Sequence, residues 1–253
     1  YADPLFERTG RGLRPTMRAN ELAPLVSEAL NRCRQALALS VGGKEIKGRT
    51  ITIGLSDDCE IALGKDLIAL IDEQLRGLRI IFRQTHSGLV QDMLMRHQID
   101  IALSAGGLSS PLISRQRLGR GHYLCLADAH ISIPTTTQDY AQRPQLLVSS
   151  GGFVGIVDEG LNAAGYKRSV RASTSHFAAV PFLLLGSELI TTVPAHAARA
   201  MASICSLQTF ACPVPLPAYD LEIGMRVGSR HDNTLQTLKA LIIALVESRF
   251  DLS

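Results

Sequence analysis

Several polar side chains follow predicted strands at points where a helix begins. Ser56 and Asp57 come directly after the strand predicted for residues 51–55, and Ser87 and Ser104 hold comparable places at the next two strands. Backbone N–H groups at the start of a helix, together with a hydroxyl, bind anionic or carbonyl groups. Serine and aspartate are also favoured as helix N-caps. The pattern therefore predicts either ligand contacts or helix caps at these positions.

Three residues in the second half of the chain have types suited to a small ligand. Phe153 lies in SSGGFVG at the start of a predicted helix, where its ring is placed either to stack on an aromatic ligand or to pack into the core. Thr174 and His176 stand at the entry to the next predicted helix. A histidine there pairs with an acidic ligand near neutral pH, or else bonds to backbone or solvent.

A cluster of cations near the start of the chain indicates contact with phosphate. Arg8, Arg11 and Arg14 fall within RTGRGLRPT, whose glycines predict a basic loop rather than a helix. Fixed cations bind the DNA backbone by releasing condensed counterions. A solvated basic loop is the alternative.

The sequence gives little support for catalysis, a metal or a cofactor. It contains no GxSxG, HExxH or P-loop pattern, and SGGFVG lacks the spacing of a dinucleotide fingerprint. The five cysteines form no CxxC, so buried or idle thiols are the expectation, and a redox pair of Cys205 with Cys212 is disfavoured. We therefore expect neither an enzyme nor a cofactor.

A long amphipathic helix is predicted from Met17 to Leu39. Thr16 stands where an N-cap belongs. The apolar positions that follow are spaced by three and four residues, which makes one helical stripe: Leu22, Leu25 or Val26, Ala29, Cys33 and Leu37. No helical partner lies nearby in the sequence, so we expect this stripe to pair with a second copy of the chain.

Beyond a predicted linker, VGGKEIKG at 41–48, strand-like and helix-like stretches alternate to the end of the chain. Alternation at this spacing is typical of parallel βαβ units. The pattern occurs twice, over 51–105 and again over 122–194, before a last strand and a last helix. The expected fold is α/β, with two Rossmann-like halves.

The composition fits a globular protein of this class. The 253 residues are 46% hydrophobic and 19% charged, with a formal net charge of +3, which is too weak to indicate nucleic-acid binding over the whole surface. No apolar run is long enough for a membrane helix, and the first residues do not resemble a signal peptide. Cytoplasmic location is expected, and the absence of an initial Met suggests that residues precede Tyr1.

Several stretches, in order, resemble the LysR-type family of transcriptional regulators. DPLFERTGRGLRPT at 3–16 is similar to the wing and linker start of that family's winged helix-turn-helix, and the apolar stripe is similar to its dimerising helix. ITIGLSDD and MLMRHQIDIALSAG resemble the strands that open its effector-binding domain. SHFAAVPFLLLGSELITTVP resembles the subgroup of nodulation and aromatic-degradation regulators.

The resemblance implies a domain order and a site. Residues 1–16 would be the remnant of a DNA-binding domain whose helix-turn-helix this sequence does not contain, and 17–41 the linker helix. A periplasmic-binding-protein-like fold would follow, with subdomain I at 49–121 and 222–253 and subdomain II at 122–221. A small effector, by subgroup an aromatic acid, would bind in the cleft near Ser56, Asp57, Ser87, Ser104, Phe153, Thr174 and His176.

The resemblance also implies the partners: promoter DNA, reached through the wing and the missing head, and further copies of the chain in a homodimer or homotetramer. The rival hypothesis is a solute-binding protein for transport, which shares the bilobal fold. Residues 1–40 discriminate, because a transport protein has no use for a basic wing or a dimerising helix.

Overall fold

A computed structural model of the protein describes residues 4–9, 12–40, 46, 48–149 and 152–252. The chain forms two compact units, Tyr1–Lys47 and Gly48–Ser253. Most of the predicted linker, residues 41–45 and 47, lies outside the described residues. Each unit is described separately below.

The first unit contains a hairpin and a helix. Strands β1 (Phe6–Thr9) and β2 (Gly12–Pro15) pair antiparallel, so the predicted basic loop is a short hairpin. Helix α1 runs from Met17 to Ser40, as predicted. The Thr16 hydroxyl accepts a hydrogen bond from the Ala19 backbone N–H at 3.2 Å, which is the expected N-cap.

The second unit begins with sheet I, whose five strands lie in the order β4-β3-β5-β12-β6. These strands are β3 (Thr50–Leu55), β4 (Arg79–Gln84), β5 (Ile101–Ser104), β6 (Ile113–Gly121) and β12 (Tyr219–Arg226). Strands β3, β4 and β5 run parallel, and β12 runs antiparallel to β5 and β6. The helices in this part of the chain are α2 (Asp57–Gln74), α3 (Val90–Met95) and α8 (Asn233–Arg249).

Sheet II takes the intervening residues, with its five strands in the order β11-β7-β10-β8-β9. The strands are β7 (Tyr123–Asp128), β8 (Pro144–Val148), β9 (Ser169–Thr174), β10 (Ile190–Pro194) and β11 (Leu207–Phe210). The α-helices are α4 (Thr137–Gln142), α5 (Ile156–Ala163), α6 (Val180–Leu184) and α7 (Ala195–Ile204), with 3-10 turns at Phe177–Ala179 and, after β12, Val227–Ser229. Strand β8 pairs parallel with β9 and β10, whereas β7 pairs antiparallel with β10 and β11.

The chain passes between the two sheets twice, and the crossings lie side by side. One crossing joins Gly121 of β6 to Tyr123 of β7, and the other ends at Tyr219, which pairs with Gly121 at the start of β12. The rings of Tyr123 and Tyr219 are 5.3 Å apart. A Cβ on Gly121 would lie 2.3 Å from the Tyr219 ring, so only glycine allows this close approach.

Burial explains why the strands form where they do. Ile51, Ile53 and Leu55 of β3 are almost fully buried, as are Ile101 and Leu103 of β5. Strand β3 alternates because its large apolar residues share one face, whereas β5 is buried on both faces and therefore reads as an apolar run. Their carboxyl ends open at one edge of sheet I, and the loops at that edge carry the predicted ligand contacts.

Candidate functional site

The carboxyl edge of sheet I brings three hydroxyl-bearing residues to the ends of adjacent parallel strands. Ser56 follows β3, Thr85 follows β4, and Ser104 ends β5. The Thr85 N–H donates to the Leu55 carbonyl oxygen at 2.9 Å, which fixes Thr85 beside Ser56. Ligands of open α/β sheets bind at such an edge.

Ser56 occupies the N-cap position of α2, yet its hydroxyl does not cap the backbone. Its backbone is extended, with φ −76° and ψ 156°, and its side chain accepts no bond from the first turn. The side chain of Ser56 instead contributes to lowering the pKa values of Asp58 and Cys59. The Ser56 side chain therefore acts on the residues that follow it rather than as a helix cap.

Thr85 is a residue that the sequence analysis missed. Its side chain is 4% exposed, and its Oγ1 is among the buried side-chain atoms of the described residues that have no hydrogen-bond partner. A buried hydroxyl without a partner costs about 1–3 kcal/mol. The signal was present in the sequence, because Thr85 directly follows its strand just as Ser56 does.

Ser104 and Ser87 differ in what their side chains can offer. The Ser104 hydroxyl is buried and donates to the Gly106 carbonyl oxygen at 2.8 Å. Ser87 is exposed, and its backbone lies against Gly107, where a Cβ would be 2.1 Å from the Ser87 carbonyl oxygen. The loops after β4 and β5 thus pack on each other at the edge of the sheet.

At sheet II, Thr174 and His176 stand together after β9, while Phe153 lies in the preceding loop. The Thr174 hydroxyl accepts a hydrogen bond from the His176 N–H at 3.3 Å, and the imidazole is exposed. Phe153 is 63% exposed, so it is not a core residue of this chain. The Ser173 hydroxyl donates to the Gly152 carbonyl oxygen at 2.8 Å, which joins the two loops.

Asp57 connects the carboxyl edge of sheet I to the segment that follows β9 in sheet II. Its carboxylate accepts a hydrogen bond from the Phe177 backbone N–H at 2.7 Å. This contact places the start of α2, in sheet I, against the segment that follows Thr174 and His176, in sheet II. The structure therefore brings Ser56, Asp57 and the Thr174–His176 segment into one region.

The first turn of α2 is strongly acidic. Asp57, Asp58 and Glu60 all lie within it, so their charges already offset the positive end of the helix dipole. Burial alone raises the pKa of Asp58, but hydrogen bonding and the charge of His196, with further bonds from Ser56 and the Cys59 backbone, bring that pKa below its ordinary value. This turn offers hydrogen-bonding groups to a ligand but not a net positive charge.

Beneath Ser56, Asp58, Cys59 and His196 form a buried cluster that could hold a metal ion. One ligand atom of each, a carboxylate oxygen, the sulfur and a ring nitrogen, lies within 4.8 Å of the others. The Asp58 carboxylate is 2.8 Å from Nε2 of His196, and the Cys59 sulfur is 3.8 Å from it. Burial raises the pKa of the Cys59 thiol well above its ordinary value. The sequence carries no local signal for this cluster, because His196 is distant in the chain.

The remaining cysteines do not support the pairing considered from the sequence. Cys205 packs against the Leu126 core cluster, whereas Cys212 packs against the cluster that contains Cys125. Cys125 is the side-chain hydrogen-bond partner of Cys212, and that bond lowers the pKa of the Cys212 thiol to about 7. Cys205 and Cys212 thus belong to separate parts of the core.

In the first unit, the hairpin places Arg8 and Arg14 on different faces. Arg14 lies opposite Glu7, and Arg8 lies opposite Leu13. Since side chains alternate between the faces of a strand, Arg8 and Arg14 project from opposite faces. Both are exposed, and Arg11 lies outside the described residues.

The stripe predicted along α1 is largely uncovered. Leu25 is 61% exposed and Val26 52%; Ala29 and Cys33 are also exposed, and Leu22 is half-buried. The side chain of Leu37 lies outside the described residues. Among the described residues, no helix is both long enough and apolar enough to cross a membrane.

Comparison with known proteins identifies the chain's relatives. Residues 45–246 match the model of the LysR substrate binding domain. The chain is 28% identical over 220 residues to the HTH-type transcriptional activator NahR of Pseudomonas putida, covering 85% of this chain and 73% of NahR. It is 26% identical over 248 residues to the HTH-type transcriptional activator NagR of Ralstonia sp., covering 96% and 82%.

Solved structures agree with these relatives. The regulatory domain of MexT, a transcriptional activator in Pseudomonas aeruginosa, superposes with a TM-score of 0.71 at 28% identity, covering 78% of this chain and 99% of that one. The BenM effector binding domain with its effector benzoate has the same fold, at a TM-score of 0.61, 19% identity and coverage of 80% and 94%. The named relatives are transcriptional regulators, so the comparisons do not favour the hypothesis of an enzyme or that of a solute-binding protein for transport.

Proposed function

From the premise that this chain belongs to the LysR-type family of transcriptional regulators, we propose that it senses a small molecule between its two sheets. Subdomain I would comprise residues 49–121 and 222–253, and subdomain II residues 122–221. The paired crossings at Gly121 and Tyr219 and the membership of the sheets support this division, except that Tyr219–Leu221 belong to β12 of sheet I, so we move the second boundary to just before Tyr219. The effector would act by binding one relative pose of the subdomains more tightly than another.

The observation that carries the site is the unpaired hydroxyl of Thr85. It lies beside Ser56 at the carboxyl edge of sheet I, close to where Asp57 meets Phe177 of sheet II. A polar group on a ligand that bonds to Thr85 would recover the free energy lost by burying that hydroxyl. Ser56, Asp57, Ser87 and Ser104 would then line one side of the effector.

The chemical class that we propose is a small aromatic acid. The exposed ring of Phe153 and the imidazole of His176 supply, on the side of sheet II, a stacking surface and a partner for a carboxylate. The acidic turn at Asp57 repels an anion from the start of α2. We therefore place the carboxylate between the imidazole of His176 and the neutral hydroxyls of sheet I, so that one carboxylate oxygen faces each side.

A thermal-shift screen of the full chain tests this proposal, with benzoate, leucine and glucose as the aromatic acid, the amino acid and the sugar. A ligand at 100 times its Kd stabilises the state that binds it by about 2.7 kcal/mol. We expect benzoate alone to raise the Tm, and Ser56→Ala and Ser104→Ala to reduce that rise. Ser203→Ala is the matched control, since Ser203 is exposed on α7 and bonds only to Ala200.

Two outcomes would contradict the proposal in different ways. A rise in Tm with leucine or glucose but not with benzoate would overturn the chemical class and leave the site. A benzoate response that is equally strong in Ser56→Ala, Ser104→Ala and the Ser203→Ala control would overturn the site.

LysR-type regulators bind DNA and small-molecule effectors and act as oligomers. For this chain we further propose that α1 pairs with α1 of a second copy, that a dimer or tetramer results, and that Arg8, Arg11 and Arg14 contact promoter DNA in the cytoplasm. The exposed stripe of Leu25, Val26 and Ala29 supports the pairing, because a surface helix normally buries its apolar face.

Sedimentation of the full chain tests the pairing of α1. Leu25→Glu places a charge in the apolar stripe. Asn20→Glu adds the same charge on the other side of the helix, because at 100° per residue Asn20 lies about 160° from Leu22 of the stripe. Asn20 is exposed. We expect Leu25→Glu to weaken self-association at least about tenfold and Asn20→Glu to leave it unchanged. Equal self-association of the two variants would exclude this face.

A further inference from the structure

The buried cluster of Asp58, Cys59 and His196, here called the hinge cluster, has the donor set of a transition-metal site. It combines a carboxylate, a thiol and an imidazole, all of them buried. Zinc in proteins is bound by these three side-chain types. Within the described residues this is the group of histidine, cysteine and acidic side chains whose ligand atoms converge closely enough for one ion.

The three residues come from both sheets. Asp58 and Cys59 lie in the first turn of α2, which follows β3 of sheet I, and His196 lies in the first turn of α7, which follows β10 of sheet II. Helices α2 and α7 pack against each other. An ion held by the hinge cluster would therefore link the two sheets directly.

The contacts of the His196 ring leave room for a metal ion at Nε2. The hydroxyl of Tyr219 lies 3.3 Å from Nδ1, so with an ion bound a proton on Nδ1 would be donated to Tyr219 and the lone pair of Nε2 would be available to the ion. Both Asp58 and Cys59 approach this same Nε2 atom. One N–H cannot serve two partners well, whereas one metal ion is bound by all three groups.

We propose that the hinge cluster binds one divalent transition ion of the zinc class, with Asp58, Cys59 and His196 as ligands. Tetrahedral zinc with ordinary bond lengths separates its ligand atoms by roughly 3.3–3.7 Å. The observed separations of 2.8 Å and 3.8 Å from Nε2 need to change by about half an ångström or less. A water molecule would be the fourth ligand, as in zinc sites that have three protein ligands.

Charge balance supports a dication. Binding releases the Cys59 proton, and the thiolate and the Asp58 carboxylate together neutralise two positive charges. A buried site requires a neutral assembly, since an uncompensated charge in the interior is strongly destabilising. A monovalent ion would leave the cluster with a net negative charge.

The surroundings of His196 resemble the outer shell of a metal site. Its ring stacks on Phe250 at a centroid distance of 4.0 Å and an interplanar angle of 3°. Tyr219 fixes the other ring nitrogen, as outer-shell partners of metal-bound histidines do. The imidazole is therefore held in one orientation before any ion arrives.

Titration of the full chain with Co²⁺ after removal of metals by a chelator tests this proposal. Cobalt reports on the ligands through the charge-transfer absorption of a thiolate bound to it. We expect one Co²⁺ per chain with this absorption, displaced by Zn²⁺. Cys59→Ala should weaken binding by more than about tenfold, since changes in the outer shell of a metal site alone cost that much, and should abolish the thiolate band. Cys205→Ala, a partly buried cysteine outside the cluster, is the matched control.

The proposal is overturned if the wild-type chain takes up no stoichiometric Co²⁺, or if the thiolate band persists in Cys59→Ala, which would assign binding to other thiols such as Cys125 and Cys212. Circular dichroism establishes that each variant is folded. Should Cys59→Ala fail to fold, His196→Gln replaces it, with the same tenfold loss expected. Retention of wild-type affinity in His196→Gln would equally refute the site. None of these measurements depends on the effector.

Discussion

Replacing Thr85 by valine should stabilise the protein and weaken its effector binding at the same time. The Thr85 side chain is buried and its hydroxyl has no partner among the described residues. Valine has nearly the same shape but exchanges that hydroxyl for a methyl group. The substitution therefore removes a buried polar atom without opening a cavity.

The expected magnitudes follow from the hydroxyl alone. An unpaired buried hydroxyl costs about 1–3 kcal/mol, so Thr85→Val should raise the free energy of unfolding by about 1 kcal/mol at the least. For a domain of this size that corresponds to a rise in Tm of about 2–4 °C. A hydrogen bond from the effector to Thr85 contributes about 1 kcal/mol, so its loss should weaken binding about fivefold to tenfold.

Thr191 provides a matched control for both effects. It is also fully buried with an unpaired Oγ1, but it lies within β10 of sheet II rather than at the carboxyl edge of sheet I. Thr191→Val should raise the Tm by a similar amount and leave effector affinity unchanged. Thermal unfolding and calorimetric titration with the effector from the screen measure the two quantities.

Two results would refute the reasoning about Thr85. A lower Tm for Thr85→Val, with a higher Tm for Thr191→Val, would show that the Thr85 hydroxyl is satisfied in the folded protein. Unchanged effector affinity in Thr85→Val would show that this hydroxyl does not contact the ligand.

Two further substitutions test the packing at the edge of sheet I and a buried ion pair. Gly107→Ala should destabilise the fold by more than Gly106→Ala, because both glycines have a positive φ but only a Cβ on Gly107 would meet a backbone oxygen. Gly106→Ala should lower the free energy of unfolding by about 1 kcal/mol. Equal free energies of unfolding for the two variants would exclude the clash at Gly107. Arg168→Met should cost about 3 kcal/mol, since Arg168 is buried in its ion pair with Asp158. Burial raises the pKa of Asp158, but Arg168 and the Gly155 N–H bring it below its ordinary value. The pair therefore stabilises the fold above the unfolded-state pKa of about 3.9 and loses that contribution as the pH falls through the lower folded-state pKa. Denaturant unfolding between neutral and acid pH measures this difference, and an equal acid sensitivity in Arg168→Met would contradict it.

Elements with strong apolar periodicity were predictable from the sequence, and those without it were not. Strand β3 and helix α1 lie within one or two residues of their predicted bounds. Strand β6, with the sequence ISRQRLGRG, was missed because it is an edge strand rich in arginine. Helix α7 was missed because its buried face consists mainly of alanines and carries no stripe of large apolar residues.

The candidate site shows the same division between local and long-range information. A hydroxyl-bearing residue at the end of a predicted strand can be recognised from the neighbouring sequence alone, so Ser56 and Ser104 could be named. The choice of Ser87 over Thr85 overlooked burial, which depends on how the loops after β4 and β5 pack. His196 could not be found at all, because its partners Asp58 and Cys59 become neighbours only when α7 packs on α2.

The first turn of α2 is where effector binding and the pose of the two sheets would be coupled. Asp57 bonds to Phe177 and Asp58 bonds to His196, so consecutive residues hold sheet II. The Ser56 side chain helps to lower the pKa of the Asp58 carboxyl. An effector that takes the Ser56 hydroxyl as its own partner would remove this stabilisation of the Asp58 carboxylate and so change how strongly Asp58 holds His196. A ligand shifts the populations of two poses only if its affinity differs between them, and the link from Ser56 to Asp58 would supply such a difference. The same link predicts that Ser56→Ala alters the relative pose of the two sheets even without an effector.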